Sequence, residues 1–456
     1  TGKNPANLGA FGWSRIGWEE KTFRTLRFSF SEELEVWNYL NAGGFSAGVI
    51  NMPLTYPPKV LDGFMVSGPL TPGEKKEYTY PKDLKEKLRR KYDYKIFPKL
   101  TFALRDILEG KDIVRHMKEN IHTKFEVARE FSQRVDFLQL TIFLTDNLQH
   151  RIWNRKGSEE IWKLIDKEIG EIIRENPEKD ILIMSDHGME KAKTYFNLSA
   201  WLQKHGYCSS KGKKKGDALS KLGITRRRLL NLIRRLNLGT PLKKFLRLLP
   251  YKVARETFRR VPEKSGGEEL DWDESKVIPS GTMLYLNPSL DNKQEMKEHL
   301  REELLKIKSP ESGEKIIKTV YEKEEVFQGK YSDIAPDLAV IPADGVWIGG
   351  GVGEEMWGED LTYWIADHIQ DGIFLGYGPN IKEGKEIKGS QLIDLAPTIL
   401  HAFGLPVPDS MDGKVLKEIF KDESKPGKTP VEHQKAEVPK KEIKRKIRKL
   451  KRKGKI

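Results

Sequence analysis

Residues 135–150 decide the fold and read Val-Asp-Phe-Leu-Gln-Leu-Thr-Ile-Phe-Leu-Thr-Asp-Asn-Leu-Gln-His. The first ten, residues 135–144, are rich in β-branched, aromatic and leucine side chains, which favours a buried strand. The residues that follow have a pattern typical of a helix. A helix beginning at Asp146 would place Asp146 and His150 at positions i and i+4 on one face, where both could bind one cation.

A second aspartate and histidine follow another apolar run. Asp186 and His187 follow residues 180–184, which read Asp-Ile-Leu-Ile-Met and predict a strand, after one intervening residue, Ser185. Adjacent residues of a regular strand point to opposite faces, so both can bind one ion only if the strand has ended. Gly188 permits the turn that this requires.

A third pair, Asp367 and His368, lies just ahead of residues 371–374, Asp-Gly-Ile-Phe. Open α/β sheets bind ligands at the carboxyl ends of their strands, where loops bring together polar groups from distant parts of a sequence. Mixed carboxylate and imidazole ligands suit Zn²⁺ or Mn²⁺ better than Ca²⁺ or Mg²⁺. The predicted metal ligands are Asp146, His150, Asp186, His187 and His368.

The order of these motifs makes a family resemblance visible. Thr-Asp-x-x-x-His at 145–150, Ser-Asp-His-Gly at 185–188 and His-x-x-Asp-Gly-Ile-Phe at 368–374 resemble the type I phosphodiesterase/nucleotide pyrophosphatase branch of the alkaline phosphatase superfamily, in the form common among archaeal proteins. The resemblance extends over residues 1 to about 420, with further matching segments at 1–12, 51–58, 394–400 and 405–413.

The resemblance implies an α/β fold of the alkaline phosphatase type, with a mostly parallel central sheet flanked by helices. It also implies two divalent metal ions, with zinc expected and manganese as the alternative. Asp146, His150 and His368 would bind one ion, and Asp186 with His187 would help to bind the second. The implied activity is hydrolysis of a small phosphoester substrate after attack by a Ser or Thr hydroxyl.

The resemblance places that nucleophile outside the given sequence. In the family, a strand ending in Asp-Gly and the nucleophilic Ser or Thr precede the segment that matches Thr1-Gly2-Lys3. We therefore assign no catalytic residue to this chain and expect it to be an N-terminally truncated piece that is inactive by itself. The missing Asp-Gly carboxylate would contribute to the second metal site.

Charge divides the chain into three predicted parts. Residues 211–262 hold 17 Lys and Arg against two acids, and residues 440–456 hold 11 against one. We assign 1–205 and 270–420 to the catalytic core, 206–269 to a basic helical cap insertion, and 421–456 to a linker with a disordered or helical basic tail.

These basic segments leave several interpretations open. The cap could pack on the core with a solvated basic face, guide an anionic substrate to the metals, or contact anionic lipid. The tail would attract a membrane or a nucleic acid non-specifically. A non-catalytic surface-binding protein with a metal-stabilised core is thus an alternative function, as are a sulfatase or a phosphomutase on the same fold.

Composition bounds the cellular setting. Cys208 is the single cysteine, which excludes an internal disulfide and favours a reducing compartment, and we expect a cytoplasmic protein. No window approaches about 18 uninterrupted apolar residues, so the sequence predicts no transmembrane helix and leaves open a signal or anchor upstream of Thr1. The high Lys and Glu content is typical of a thermophile.

Overall fold

The computed structural model describes residues 1–25, 33–97, 111–154, 156–213, 268–352, 355–358 and 364–435. Its α-helices are α1 Pro5–Leu8, α2 Val36–Ala42, α3 Leu84–Tyr92, α4 Lys111–Ser132, α5 Leu144–Ile152, α6 Lys156–Glu175, α7 Leu198–Lys204, α8 Lys293–Lys306, α9 Lys323–Val326, α10 Leu395–Ala402 and α11 Lys425–Lys428. Its strands are β1 Ser14–Gly17, β2 Thr22–Thr25, β3 Ala47–Met52, β4 Gly63–Ser67, β5 Thr79–Tyr80, β6 Phe137–Leu140, β7 Ile181–Met184, β8 Gly188–Lys191, β9 Thr194–Phe196, β10 Ser209–Lys213, β11 Glu268–Asp271, β12 Val277–Ser280, β13 Met283–Leu286, β14 Ile317–Glu322, β15 Leu338–Pro342, β16 Val346–Ile348, β17 Trp357–Gly358, β18 Ala366–Ile369, β19 Phe374–Tyr377, β20 Val407–Pro408 and β21 His433–Gln434.

The sheet that leads to the predicted metal site has the order β5-β4-β3-β6. Strand β3 is parallel to both β4 and β6, and the short edge strand β5 is antiparallel to β4. Alternate side chains of β3 enter different cores: Val49 packs with helices α2 and α10, whereas Ile50 packs with α3 and α4. Burial on both faces explains why β3 is apolar along most of its length. The predicted α/β class, a mostly parallel sheet between helices, is confirmed.

A second sheet, β12-β13-β15-β14, is antiparallel throughout. Its apolar face packs against helices α7 and α8 through residues such as Leu202, Leu300 and Leu304, which are fully buried. This sheet forms a separate part of the core. The strands that carry the predicted ligands lie outside it.

The two strands that precede the first metal motifs are less covered than their composition predicts. The strand expected over 135–144 occupies only Phe137–Leu140, and a helix begins at Leu144. Among the described strands, β6 pairs with β3 alone and β7 pairs with β19 alone. Each therefore has an open edge. Residues of both strands remain partly exposed as a result, although the sequence predicts buried strands.

The predicted insertion and tail fall largely outside the described residues. The predicted helical cap insertion, 206–269, begins and ends in strands, because β10 and β11 form an antiparallel pair at its two ends. Residues 214–267, the rest of this insertion, lie outside the described residues. Residues 421–435, which the sequence assigns to the linker, include α11 and β21, and β21 pairs with β20. The basic tail at 440–456 is also not described.

Helix length and apolarity bear on membrane insertion. Within the described ranges, no helix is both long enough and apolar enough to cross a bilayer.

Candidate metal centre

Helix α5 presents the first two predicted ligands. Leu144 and Leu148 are buried against α4 and α6, and this apolar contact fixes how the helix lies on the core. Asp146 and His150 occupy another face of the same helix at positions i and i+4, as the spacing predicts. His150 is almost fully buried, with 3% of its side chain exposed, whereas 29% of the Asp146 side chain is exposed.

His368 reaches the same point from a distant part of the chain. It lies in β18, which pairs with β8 so that His368 is opposite Met189. Its Nε2 is 2.9 Å from Asp146 Oδ1 and 3.0 Å from His150 Nε2. The third side of the triangle, from His150 Nε2 to Asp146 Oδ1, measures 3.1 Å. Three potential donor atoms therefore converge from a helix and a strand.

This donor set fits a divalent cation. Tetrahedral zinc with bonds of about 2.0–2.1 Å keeps its ligand atoms about 3.3 Å apart, close to the three separations observed. His150 Nδ1 donates a hydrogen bond to the carbonyl oxygen of Ala366, 2.8 Å away. In the neutral ring protonated at Nδ1, Nε2 has a lone pair that can bind a cation.

The electrostatics of the cluster keep Asp146 ionised. Burial raises the pKa of its carboxyl, but the hydrogen bonds with His150 and His368 outweigh burial and hold the pKa well below its usual range. For His368, burial lowers the pKa of the imidazole, and the hydrogen bond with Asp146 outweighs it and raises the pKa. At neutral pH the carboxylate is thus available to a cation without first losing a proton.

The structure brings His187 to this cluster, and Asp186 lies beside it. The His187 ring stacks on that of His368 with centroids 3.7 Å apart. Its Nε2 is 3.9 Å from Asp146 Oδ1 and 3.6 Å from Asp186 Oδ2, while its Nδ1 donates to the Gly188 carbonyl oxygen. The Asp186 side chain is 74% exposed.

The two predicted ion sites differ in completeness. Within the described residues, one group of three or more potential ligands converges, namely Asp146, His150 and His368, whose donor atoms lie within 4.8 Å of one another. Asp186 and His187 add two donor groups next to it.

Gly188 has a steric role that the sequence did not reveal. It follows the turn that ends β7, as predicted. A Cβ atom at this position would lie 2.1 Å from the carbonyl oxygen of Asp371, so only glycine allows the two backbones to approach. This close approach brings the Asp186–His187 turn next to the segment that follows His368.

Sequence reasoning missed the residues that surround His150. The Trp364 ring stacks on the His150 ring at 3.6 Å, and its Nε1 donates to Asp367 Oδ1 at 3.3 Å. Asp367 Oδ1 lies 4.0 Å from His150 Nδ1, and burial raises the pKa of the Asp367 carboxyl. Proximity to His368 in the sequence is the one signal that could have drawn attention to Trp364.

Comparison with known proteins places this geometry in a family. A profile of the type I phosphodiesterase/nucleotide pyrophosphatase family matches residues 1–368. That range contains all five predicted ligands. No curated protein is similar enough in sequence to count as a relative.

Solved structures resemble the chain at low sequence identity. Phosphonoacetate hydrolase from Sinorhizobium meliloti 1021, in complex with phosphonoformate, is 13% identical with a TM-score of 0.52, and the match covers 87% of this chain and 80% of the hydrolase. Human ectonucleotide pyrophosphatase/phosphodiesterase 5 is 14% identical with a TM-score of 0.47, over 92% of this chain and 86% of the human chain. Its murine counterpart, an inactive variant in complex with AMP, is 12% identical with a TM-score of 0.47 over the same shares of both chains.

The profile match spans most of the chain, and the motifs that it covers converge in the structure. The chain therefore belongs to the type I phosphodiesterase/nucleotide pyrophosphatase family of phosphoester hydrolases, and its α/β fold is similar to that of phosphonoacetate hydrolase.

Proposed function

We propose that this protein hydrolyses small phosphoesters with the help of two divalent cations, zinc for preference and manganese as the alternative. Asp146, His150 and His368 bind the first cation, and Asp186 with His187 helps to bind the second. One observation carries the proposal: Asp146 Oδ1, His150 Nε2 and His368 Nε2 meet at separations of 2.9–3.1 Å.

The bound cations would lower the pKa of an attacking hydroxyl and stabilise the leaving oxygen of a phosphoester. The protein neutralises the charge of the cations only in part. Asp146 and Asp186 offset only part of the charge of two divalent cations, so the site favours an anionic phosphoryl group. His150, held through its Nδ1 hydrogen bond to Ala366, keeps its Nε2 in place while substrate enters and product leaves.

The position of the nucleophile is part of the proposal. We propose that a Ser or Thr upstream of Thr1 attacks phosphorus, and that the strand leading to it pairs between β6 and β7. The open edges of both strands support this placement. Both strands also run toward the site and are tied together near their starts, where Gln133 Nε2 donates to Asn176 Oδ1 at 2.8 Å. Beyond their ends, His187 Nε2 lies 3.9 Å from Asp146 Oδ1.

The test measures hydrolysis of bis(p-nitrophenyl) phosphate by the full-length polypeptide, including the residues that precede Thr1. We expect turnover to disappear after dialysis against a chelator and to return with zinc or manganese. His368→Asn should lower kcat/KM at least 100-fold, because a metal ligand is lost, whereas the surface substitution His433→Asn should leave it unchanged.

Two outcomes would contradict the proposal. The first is metal binding by the full-length protein without turnover of any phosphoester, which would favour a non-catalytic protein with a metal-stabilised core. The second is hydrolysis of p-nitrophenyl sulfate but not of the phosphodiester, which would favour a sulfatase.

A further inference from the structure

An aromatic column leads away from the metal cluster. Trp364 stacks on His150 with an angle of 27° between the rings, and Trp347 stacks on Trp364 with ring centroids 5.6 Å apart and an angle of 23°. Tyr195 in turn contacts Trp347 at 4.7 Å. The indole of Trp364 therefore contacts the rings of both His150 and Trp347, and these contacts limit how far it can shift.

The segment around Trp364 holds His150 in three ways. The backbone N–H of Ile365 donates to the His150 carbonyl oxygen at 2.8 Å, and the Ala366 carbonyl oxygen accepts from His150 Nδ1 at the same distance. The third contact is the face of the Trp364 ring. The first two contacts fix the backbone and one edge of the imidazole.

Those two hydrogen bonds leave one motion unrestrained. An imidazole held at Nδ1 alone can tilt about the line from that atom to its acceptor, and such a tilt swings the Nε2 lone pair away from the metal. A flat ring packed on the imidazole face opposes the tilt. Trp364 is itself held in its plane by the hydrogen bond from its Nε1 to Asp367 Oδ1.

We propose that Trp364 is a positioning residue that fixes the plane of the His150 imidazole and thereby raises the affinity of Asp146, His150 and His368 for a divalent cation. This inference rests on the proposed function, because it assigns Trp364 a role at that same site. Trp364 acts through His150.

The chain offers matched variants for a test. Trp364→Phe keeps a flat ring against His150, whereas Trp364→Leu keeps apolar burial without a ring. Trp201 stacks on His205 at 4.3 Å in the core of the second sheet, so Trp201→Phe alters a similar tryptophan–histidine contact away from the cluster.

The first measurement is the zinc dissociation constant, obtained by competition with a chromophoric chelator. We expect Trp364→Leu to weaken binding about 10-fold to 100-fold, the range found when groups that orient a metal ligand are lost. Trp364→Phe should weaken it less than tenfold, and Trp201→Phe should not change it. Wild-type affinity in Trp364→Leu, or equal losses in the Leu and Phe variants, would overturn the inference.

A second measurement needs no metal. The ¹³C relaxation spectra of the His150 ring C–H groups in the metal-free protein should show an ordered imidazole in the wild type and in Trp364→Phe, and a more mobile one in Trp364→Leu. Identical spectra of the wild type and the Leu variant would overturn the inference. If the wild type binds no zinc, the proposed function fails, and these spectra alone decide the role of Trp364.

Discussion

Asp146 Oδ1 and His368 Nε2 lie 2.9 Å apart although 222 residues separate them in the chain. The contact forms because helix α5 and strand β18 pack side by side, with the Ile365 N–H donating to the His150 carbonyl oxygen. A helix from the first half of the core and a strand from the second thus make one binding centre. The three donor atoms can bind one cation only if these two parts of the chain pack together correctly.

Loss of His368 should abolish the first ion site. In His368→Asn, one of three converging donors is lost, so we expect zinc affinity at this site to fall by at least two orders of magnitude. Isothermal titration would show the change, with His433→Asn as the surface control. Unchanged affinity in His368→Asn would contradict the assignment of His368 as a ligand.

Loss of His187 should remove the second ion and spare the first. His187 Nε2 is 3.9 Å from Asp146 Oδ1, but His187 does not belong to the three-ligand group. In the full-length protein, we expect bound zinc to fall from two ions per chain to one in His187→Asn, measured by elemental analysis after gel filtration. A fall to zero would mean that the two sites do not fill independently.

Lys124 should make stability depend on pH. Its side chain is 1% exposed, and its Nζ donates to the Asn120 side chain and to the Lys95 carbonyl oxygen. Burial lowers its pKa to about 7. Between pH 7 and about 10.4 the unfolded chain binds a proton that the folded protein does not, so the free energy of unfolding rises with pH in this window.

The comparison is with Lys124→Met, which removes the titrating group. Between pH 8 and 10, we expect the free energy of unfolding of the wild type to rise relative to the variant by about 1.4 kcal/mol per pH unit. Below pH 7 the difference should be constant. Urea unfolding at several pH values measures it. The control Lys118→Met replaces a more exposed lysine on the same helix and keeps Lys124, so its free energy of unfolding should retain the wild-type dependence on pH.

Asp394 should stabilise the fold without affecting the metal site. Its carboxylate is buried and accepts hydrogen bonds from the backbone N–H groups of Lys414 and Gln391, both at 2.9 Å. Asp394→Ala leaves both donors without this acceptor, and we expect a loss of about 2–4 kcal/mol in the free energy of unfolding. Zinc affinity should stay at the wild-type value. The exposed Asp409→Ala serves as the control, and an equal loss there would contradict the prediction.

Local and long-range features differed in how far the sequence predicted them. The spacing of Asp146 and His150 was readable because a helix places positions i and i+4 on one face whatever surrounds it. The approach of His368 came from the family resemblance, since no periodicity connects residues so far apart. Trp364 was missed because its role depends on how β18 packs against α5, and packing between distant elements leaves no repeating pattern in the chain.

Composition was also insufficient to predict how deeply strands β6 and β7 are buried. The apolar side chains of β6 and β7 indicated strands correctly, but exposure depends on which neighbours a strand has. Each of the two has an open edge among the described strands, and their side chains remain partly exposed. The composition of a strand indicates that its side chains are suited to an apolar environment, but it does not show whether neighbouring elements cover them.

Those open edges have a consequence for the behaviour of the protein in the test tube. Unpaired N–H and C=O groups on an apolar strand act as a template for another strand, so two such edges invite edge-to-edge association between copies. For the polypeptide that begins at Thr1, we expect soluble oligomers that grow with concentration and that a short peptide able to pair with β6 and β7 disperses. In the full-length protein, the strand proposed to pair between β6 and β7 would prevent this association.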